Sequence, residues 1–369
     1  MGIPAETFAT DALFQPLKLG RIEVANRMAM APLTRSRAND ALEPTAMVVE
    51  YYRQRAGVGL IIAEATQISA TAQGYTNTPG IHTPAQIAAW KQVTDAVHAK
   101  GGKIFVQLWH TGRMSHNAFQ PNQQAPVAPS AIAAKAKTYI VGQGYVDCAV
   151  PRALETAEIA GVVNDFRQAA ANAIQAGFDG VEIHGAHGYL IDAFLRDGSN
   201  HRTDQYGGSI ENRARFLLEV MAAVTQEIGA DRVGIRLSPV SPVNDSSESN
   251  PQPLFEHVVR ELEKLHPVYI HVVEGHTGGP RDNAPFDYEA LRRLYSGIWM
   301  VNNGYTKEMA VEALRSGRAD MVSFGRAMIT TPDLPRRFRD NLPLNEPFAD
   351  APVYGGTGPH GYTDYPALP

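Results

Sequence analysis

A helix-like segment followed by a strand-like run is found in EIAGVVNDFRQAAANAIQAGFDGVEIH, residues 158–184. Apolar residues recur at helical spacing from Glu158 to Ala176, and Gly177 marks the end of the predicted helix. The run Gly180–His184 has the length of a buried strand, and continuous apolar strands are typical of a parallel sheet covered by helices. This unit predicts an α/β fold.

The same alternation recurs along the chain. The predicted strands are Met28–Pro32, Leu60–Ala65, Lys103–Trp109, Gly180–His184, Arg232–Ser238, Val268–Val273, Ile298–Asn302 and Asp320–Phe324. The predicted helices are Thr45–Arg55, Pro84–Lys100, Glu158–Ala176, Ser209–Glu227, Leu254–Leu265, Asp287–Tyr295, Thr306–Ser316 and a short helix from Pro332. Eight strand–helix units in alternation predict a (β/α)₈ TIM barrel. A doubly wound open sheet is disfavoured, because no Gly-rich phosphate motif follows the first predicted strand.

Three segments do not fit the alternation. Residues 8–25 are predicted to form a hairpin that turns at Gly20 and caps the bottom of the barrel. Residues 110–153 form a long insertion after the third strand and are expected to act as a lid. The tail, 342–369, is rich in Pro, Gly and Tyr and is expected to be irregular. We therefore expect residues 1–369 to form one barrel domain.

Composition and charge exclude several classes of protein. Of 369 residues, 44% are hydrophobic and 19% are charged, as in a globular chain with an ample core. The net charge of −5 provides no basic field that would attract nucleic acid or anionic lipid. The single cysteine, Cys148, excludes an intrachain disulfide and a Cys-cluster metal site. No apolar run approaches the ~20 residues of a membrane span, and no secretory signal is present. We expect a cytoplasmic protein.

A TIM barrel carries its reactive groups at the C-terminal ends of the strands and in the loops that follow. Asn303-Gly304 and Gly325-Arg326 follow the seventh and eighth strands, where such barrels frequently bind a phosphate. Glycine lets the backbone approach the ligand closely, and Arg326 offers a bidentate guanidinium. The alternative is that the glycines only form turns and that Arg326 caps a surface.

His184, His187 and Tyr189 follow one another at the end of the fourth strand. Two N–H donors that converge on one point suit an oxygen that gains negative charge, and a nearby phenol can deliver a proton. A metal pair and purely structural histidines are the alternatives. Zinc would need a third ligand, and the helical HExxH pattern is absent.

Two polar residues on neighbouring strand ends suit a flavin ring. Arg236 would bring a permanent positive charge to the barrel mouth, which a reduced, anionic flavin favours near N1 and O2. Gln107 can donate to and accept from the amide-like edge of the ring. The alternative for Arg236 is an ion pair with Glu182 or Glu64.

Longer motifs accompany these residues. They are PLTRSRA (32–38), QLWHTGRMS (107–115), EIHGAHGYLIDAFLRDGSNHRTDQYGGSIENRARF (182–216), RLSPV (236–240), FGRAMITTPDLPRRF (324–338) and YGG…GYTDYPAL (354–368). From about Leu13 onward the chain resembles the Old Yellow Enzyme family of FMN-dependent ene-reductases. Thr34 and the HxxH spacing are similar to the branch of the N-ethylmaleimide, glycerol trinitrate and oxophytodienoate reductases.

The resemblance implies roles for the candidate residues. His184 and His187 would hydrogen-bond the carbonyl or nitro oxygen of the substrate, and Tyr189 would protonate its α-carbon. The residues implied to hold FMN are Pro32, Thr34, Ala65, Gln107, Arg236, Asn303, Gly304, Gly325 and Arg326. Those implied to shape the substrate mouth are Tyr75, Trp109 and Tyr354. Asn303 departs from the family, because many members have glycine there.

The resemblance also implies a function. It is the NAD(P)H-dependent reduction of the C=C bond in α,β-unsaturated carbonyl or nitro compounds, in a ping-pong cycle through tightly but non-covalently bound FMN. Reduction of nitroesters or nitroaromatics at the same site is the alternative within the family. A redox-sensing flavoprotein and a metal-dependent aldolase-type barrel are alternatives from other classes. The expected partners are small activated alkenes or nitro compounds, without nucleic acid, membrane or metal, and the expected state is a monomer or homodimer.

Overall fold

The computed structural model describes residues 12–368. In chain order the strands are β1 (Leu17–Leu19), β2 (Ile22–Val24), β3 (Met28–Met30), β4 (Leu60–Gln67), β5 (Ile104–Trp109), β6 (Val127–Ala128), β7 (Lys137–Ile140), β8 (Gly144–Asp147), β9 (Arg152–Ala153), β10 (Gly180–Gly185), β11 (Val233–Leu237), β12 (Tyr269–Val273), β13 (Ile298–Asn302) and β14 (Met321–Phe324). The α-helices are α1 (Ala46–Gln54), α2 (Pro84–His98), α3 (Thr156–Gln175), α4 (Leu190–Leu195), α5 (Ile210–Ile228), α6 (Pro251–Leu265), α7 (Tyr288–Arg292), α8 (Lys307–Arg315), α9 (Arg326–Thr330) and α10 (Leu334–Asp340).

Eight of these strands close into a parallel barrel. Their order around it is β3-β4-β5-β10-β11-β12-β13-β14, and β14 pairs with β3 to complete the ring. Residues such as Ile61 and Val106 face outward and pack on the helices, while Ile62 and Phe105 alternate with them and face inward. The predicted (β/α)₈ barrel is confirmed, and each predicted barrel strand overlaps an observed one.

The structure contains elements that the sequence pattern does not predict. Helices α4 and α9 follow β10 and β14 without a predicted counterpart. The insertion 110–153 contains an antiparallel hairpin, β7–β8, and the short pair β6–β9. The hairpin docks on the loop after β4, because Thr138 Oγ1 donates to the carbonyl of Gly74 over 2.6 Å. Its role as a lid remains a prediction.

The hairpin β1–β2 closes the N-terminal end of the barrel, as predicted, although residues 8–11 of the expected segment lie outside the described residues. Leu19 and Val24 pack into the apolar interior at this end, with Leu60 and Phe105. Gly20 makes the turn with a φ of +58°, and a β-carbon there would lie 2.0 Å from the carbonyl oxygen of Asp231. Only glycine fits this close contact.

The tail residues 342–368 contain no helix or strand. Arg35, in the loop after β3, donates from Nε to the Val353 carbonyl (2.8 Å) and from Nη2 to the Gly361 carbonyl (2.9 Å). The rings of Tyr51 and Tyr362 stack 4.2 Å apart, and the Arg35 guanidinium lies 4.9 Å from the Tyr362 centroid. This buried cluster attaches the tail to the first strand–helix unit.

Within the described residues, no helix is both long and apolar enough to cross a membrane. The expected cytoplasmic location and the expected monomeric or homodimeric state remain predictions.

We expect Gly20→Ala to destabilise the fold more than Gly101→Ala. Both glycines have a positive φ, but a β-carbon at Gly101 would meet no atom within 4 Å. The backbone strain common to both is about 1–2 kcal/mol, and overpacking at Gly20 adds about 1–3 kcal/mol. Chemical denaturation of the two variants measures the difference, and equal losses would show that the cap is not packed on the Asp231 loop.

Candidate active site

A tight turn after β10 brings three candidate side chains together. His187 and Gly188 adopt left-handed backbone conformations, with φ of 61° and 72°. The His184 ring centroid lies 5.5 Å from that of His187 and 4.9 Å from that of Tyr189. Across residues 12–368, no group of three His, Cys, Asp or Glu side chains is arranged to hold a metal ion.

A buried carboxylate holds this turn. Asp192, in α4, accepts a hydrogen bond from the Gly188 backbone N–H over 2.8 Å and forms an ion pair with Arg196 at 2.8 Å. Arg196 also donates to the carbonyls of Ser238 and Pro239, at the end of β11. These contacts fix the loop after β10 against the loop after β11.

Both imidazoles are neutral at physiological pH. Burial, followed by the nearby Arg236 guanidinium, holds the pKa of His184 and of His187 well below the usual histidine value. The Ala186 backbone N–H donates to His184 Nδ1 (3.3 Å), so the ring proton resides on Nε2. His187 Nε2 lies 2.8 Å from the hydroxyl of Thr277. The Nε2 proton of His184 is therefore available to an oxygen, whereas on His187 an oxygen must bind Nδ1 or replace the Thr277 hydroxyl at Nε2.

The Tyr189 phenol keeps its proton over the physiological range. Burial raises the pKa of Tyr189 to about 12. Its hydroxyl lies 3.2 Å from that of Tyr75, and its ring meets Trp109 edge-on with centroids 4.7 Å apart. A protonated phenol beside two imidazole rings can act as a proton donor.

Two of the three predicted mouth residues, Tyr75 and Trp109, contact this phenol. Trp109 stacks on Tyr75, with centroids 5.7 Å apart, and lies 6.1 Å from the His184 ring. Tyr354 is 65% exposed, and burial affects the pKa values of Tyr75 and Tyr189 more than Tyr354 does. The structure therefore brings His184, His187, Tyr189, Tyr75 and Trp109 into one aromatic cluster, and Tyr354 lies on the exposed surface outside it.

Gln107 and Arg236 lie buried inside the barrel, below this cluster. Gln107 Nε2 donates to Glu182 (2.8 Å), which leaves its carbonyl oxygen and one N–H for a ligand. Arg236 Nη2 donates to Asn302 Oδ1 (2.8 Å), while its buried Nε has no hydrogen-bond partner. The alternative ion pair of Arg236 with Glu182 or Glu64 does not form: Glu182 bonds to Gln107 and His271, and Glu64 to Tyr52.

The remaining candidates for cofactor contacts lie at strand ends on the other side of the mouth. Pro32 and Thr34 follow β3, and Ala65 lies in β4 at an irregularity of its pairing with β5. Gly304 has a φ of +65°, and a β-carbon there would meet no atom within 4 Å. A β-carbon at Gly325 would meet only the Leu33 side chain, at 3.5 Å. Open space therefore adjoins both glycines, and Arg326 begins α9 beside them.

The Asn303 side chain does not point to a phosphate. It adopts a φ of 106°, its amide nitrogen donates to the carbonyls of Glu274 and His276, and its oxygen accepts the Gly278 N–H. These bonds pin the loop after β12, which carries Thr277. Because its side chain is engaged in these bonds, Asn303 could contact a cofactor only through its backbone N–H. Its cofactor-binding role remains a prediction.

Several residues that support the site were not predicted from the sequence. Asp192 and Arg196 lie within the quoted 182–216 motif, and their spacing of four is the available signal. Thr277 carried no sequence signal. His271 interrupts the apolar run of β12, and it hydrogen-bonds Glu182 and Ser323 inside the barrel.

The donor set fits a flavin phosphate ester. An unpartnered arginine N–H and an amide with one free N–H and one free carbonyl suit the pyrimidine edge, and the two open glycine turns suit a phosphate.

Comparison with known proteins gives a consistent result. Residues 12–345 match the NADH:flavin oxidoreductase / NADH oxidase family. The chain belongs to this family. A putative 12-oxophytodienoate reductase 11 of Oryza sativa subsp. japonica is 48% identical over 98% of this chain and 99% of its own length. The 12-oxophytodienoate reductase 2 of Arabidopsis thaliana is 44% identical over 99% of this chain and 98% of its own length.

Solved structures place this NADH:flavin oxidoreductase among the same relatives. Morphinone reductase is 47% identical, with a TM-score of 0.92 over 97% of this chain and 96% of that one. The old yellow enzyme homologue from Zymomonas mobilis is 43% identical, with a TM-score of 0.93 over 97% of this chain and 100% of that one. The predicted membership of the Old Yellow Enzyme family and the predicted FMN and nicotinamide cofactors are confirmed.

We expect the imidazoles of His184 and His187 in this oxidoreductase to remain neutral from pH 8 to below pH 6, because their pKa values are lowered. His360 is the internal control, since the hydrogen bonds that its ring donates to Asp350 and Asp364 raise its pKa, and it should gain a proton first. Nitrogen-15 NMR of labelled histidines reads each ring, with assignment by single His→Gln variants. A signal from His184 that titrates near pH 6.5 would contradict the burial argument.

Proposed function

We propose that this chain is an ene-reductase that reduces the C=C bond of α,β-unsaturated carbonyl or nitro compounds. The observation that carries the proposal is the turn after β10, where the neutral His184 ring contacts both the neutral His187 ring and the protonated Tyr189 phenol. The reductases named among the relatives support the same reaction class.

Bound FMN would supply the hydride that the β-carbon receives, with NAD(P)H as its source of electrons. Gln107 and Arg236 would hold the pyrimidine edge, with Thr34 at the opposite carbonyl. Pro32 and Ala65 would pack against the ring. The phosphate would lie at Gly304, Gly325 and Arg326, joined by the Asn303 backbone.

His184 and His187 would bind the carbonyl or nitro oxygen of the substrate. Their rings are uncharged, so they donate ordinary hydrogen bonds to the neutral substrate and stronger bonds once negative charge develops on its oxygen. Because the interaction strengthens as the reaction proceeds, it lowers the barrier rather than only tightening substrate binding. A charged imidazolium would bind both states more strongly but would have to be desolvated beside Arg236.

Tyr189 would give its hydroxyl proton to the α-carbon. Burial keeps the phenol protonated until it is needed, and the Tyr75 hydroxyl at 3.2 Å can donate to the phenolate that remains. Solvent then restores the proton. Trp109 and Tyr354 would confine a flat substrate between the histidines and the tail.

We expect His184→Ala or His187→Ala to slow alkene reduction by about 10²–10³-fold, because each removes one donor to the developing oxyanion. The binding of phenols, measured by the long-wavelength absorbance band of the phenol complex, should weaken in parallel while FMN stays bound. His98→Ala, at the far end of α2, is the control and should retain full activity. Unchanged rates in both histidine variants would refute their assigned role.

We expect Tyr189→Phe to slow alkene turnover while leaving reduction of the bound flavin by NAD(P)H at the wild-type rate. The two half-reactions are measured separately by stopped flow, so the variant serves as its own control. If Tyr189→Phe kept full rate with every enone tested, another group or solvent would be the proton donor.

The visible spectrum of the purified protein is the first test of the whole proposal. A colourless protein that binds no added FMN would overturn it. Side-by-side turnover of cyclohexenone and glyceryl trinitrate then separates alkene reduction from nitroester reduction, and exclusive reduction of the nitroester would favour the alternative.

A further inference from the structure

A continuous chain of buried hydrogen bonds crosses the barrel interior beneath the mouth. Glu182 Oε1 accepts from Gln107 Nε2 (2.8 Å), and Glu182 Oε2 lies 2.8 Å from His271 Nδ1. His271 Nε2 lies 2.8 Å from the Ser323 hydroxyl. Both Glu182 and His271 are fully buried.

The chain continues to the opposite side of the barrel. Asn302 Nδ2 donates to the Ser323 carbonyl (3.0 Å), and Asn302 Oδ1 accepts from Arg236 Nη2 (2.8 Å). We call the whole chain the buried relay; its members are Gln107, Glu182, His271, Ser323, Asn302 and Arg236. Its two ends are the two residues that the proposed function assigns to the pyrimidine edge of FMN.

The protons of the buried relay can be assigned from its partners. A carboxylate only accepts, so His271 Nδ1 donates to Glu182 and the neutral ring accepts the Ser323 hydroxyl at Nε2. Burial, followed by Arg236, lowers the pKa of His271, although Glu182 opposes both effects. His184 and His187 are its other titratable neighbours, and the Tyr269 ring lies 6.5 Å away. The relay thus contains one negative charge, on Glu182, and one positive charge, on Arg236.

These two charges are not paired directly. Neutral groups separate them along the relay, and Arg236 Nε remains without a partner. A buried polar network is costly compared with an apolar core of the same volume, and the mechanism above uses only its two ends.

We propose that Glu182 is a positioning residue and the counter-charge that sets the reduction potential of the bound flavin. This inference rests on the proposed placement of FMN against Gln107 and Arg236. Glu182 fixes the orientation of the Gln107 amide. Its negative charge disfavours reduction of the flavin at the pyrimidine edge, whereas the positive charge of Arg236 favours it. His271 and Ser323 hold the carboxylate so that it cannot turn and pair with Arg236.

Glu182→Gln removes the charge with little change of shape. We expect it to favour binding of reduced over oxidised flavin by about tenfold, which raises the two-electron midpoint potential by about 30 mV. Glu182→Asp keeps the charge and should remain near the wild-type potential. Glu248→Gln is the matched control, because it also removes a buried carboxylate, paired with Arg213, outside the buried relay. It should lower the melting temperature without moving the potential.

The measurement is a spectroscopic redox titration of each holoenzyme against a reference dye. An unchanged potential in Glu182→Gln, or an equal rise in Glu248→Gln, would overturn the inference while leaving the proposed reaction intact. A wild-type protein without flavin would instead overturn the proposed function. If Glu182→Gln does not fold, Ser323→Ala tests the same relay. Without this hydroxyl, His271 holds Glu182 less firmly, so the carboxylate can approach Arg236 and the potential should fall. A potential identical to that of the wild type would overturn the inference.

Discussion

The ion pair between Asp192 and Arg196 is the contact on which the candidate site depends. Asp192 binds the backbone of the turn that carries His184, His187 and Tyr189, and Arg196 ties that turn to the end of the next barrel strand. Both side chains are buried, so neither charge can be satisfied by water if its partner is lost. The left-handed conformation of His187 is strained for a residue with a β-carbon, and these bonds supply the restraint that keeps it.

Electrostatics follows from where the barrel places its polar groups. Arg236 lies among neutral imidazoles, whose protonation its charge and the dry interior both oppose. The rings therefore remain uncharged hydrogen-bond donors, and the positive charge of Arg236 lies at the deeper edge of the cavity. Above them, burial keeps Tyr189 protonated. A single gradient of burial and charge thus gives neighbouring residues different chemical roles.

Periodicity predicted the eight barrel strands, because each apolar run is long enough to show its pattern. It missed α4, since six residues from Leu190 to Leu195, all buried, show no helical face. The hairpin β7–β8 had a signal in its alternating KTYI and its glycines, but composition favoured a loop. The site residues came from motifs and strand ends. Two sets of contacts could not be predicted: the Asn303 bonds to the loop after β12 and the path from Glu182 through His271 to Ser323. Both join separate strands, so they depend on strand register, which no local sequence pattern contains.

The hydrogen bonds that Arg35 donates to the tail join positions as far as 326 residues apart in the sequence. Contacts of such separation carry a high loop-closure cost and tend to slow folding. Tyr354 adjoins Val353, whose carbonyl Arg35 holds, so docking of the tail fixes the backbone at the proposed substrate mouth. An undocked tail would leave the barrel closed but would free this part of the proposed mouth.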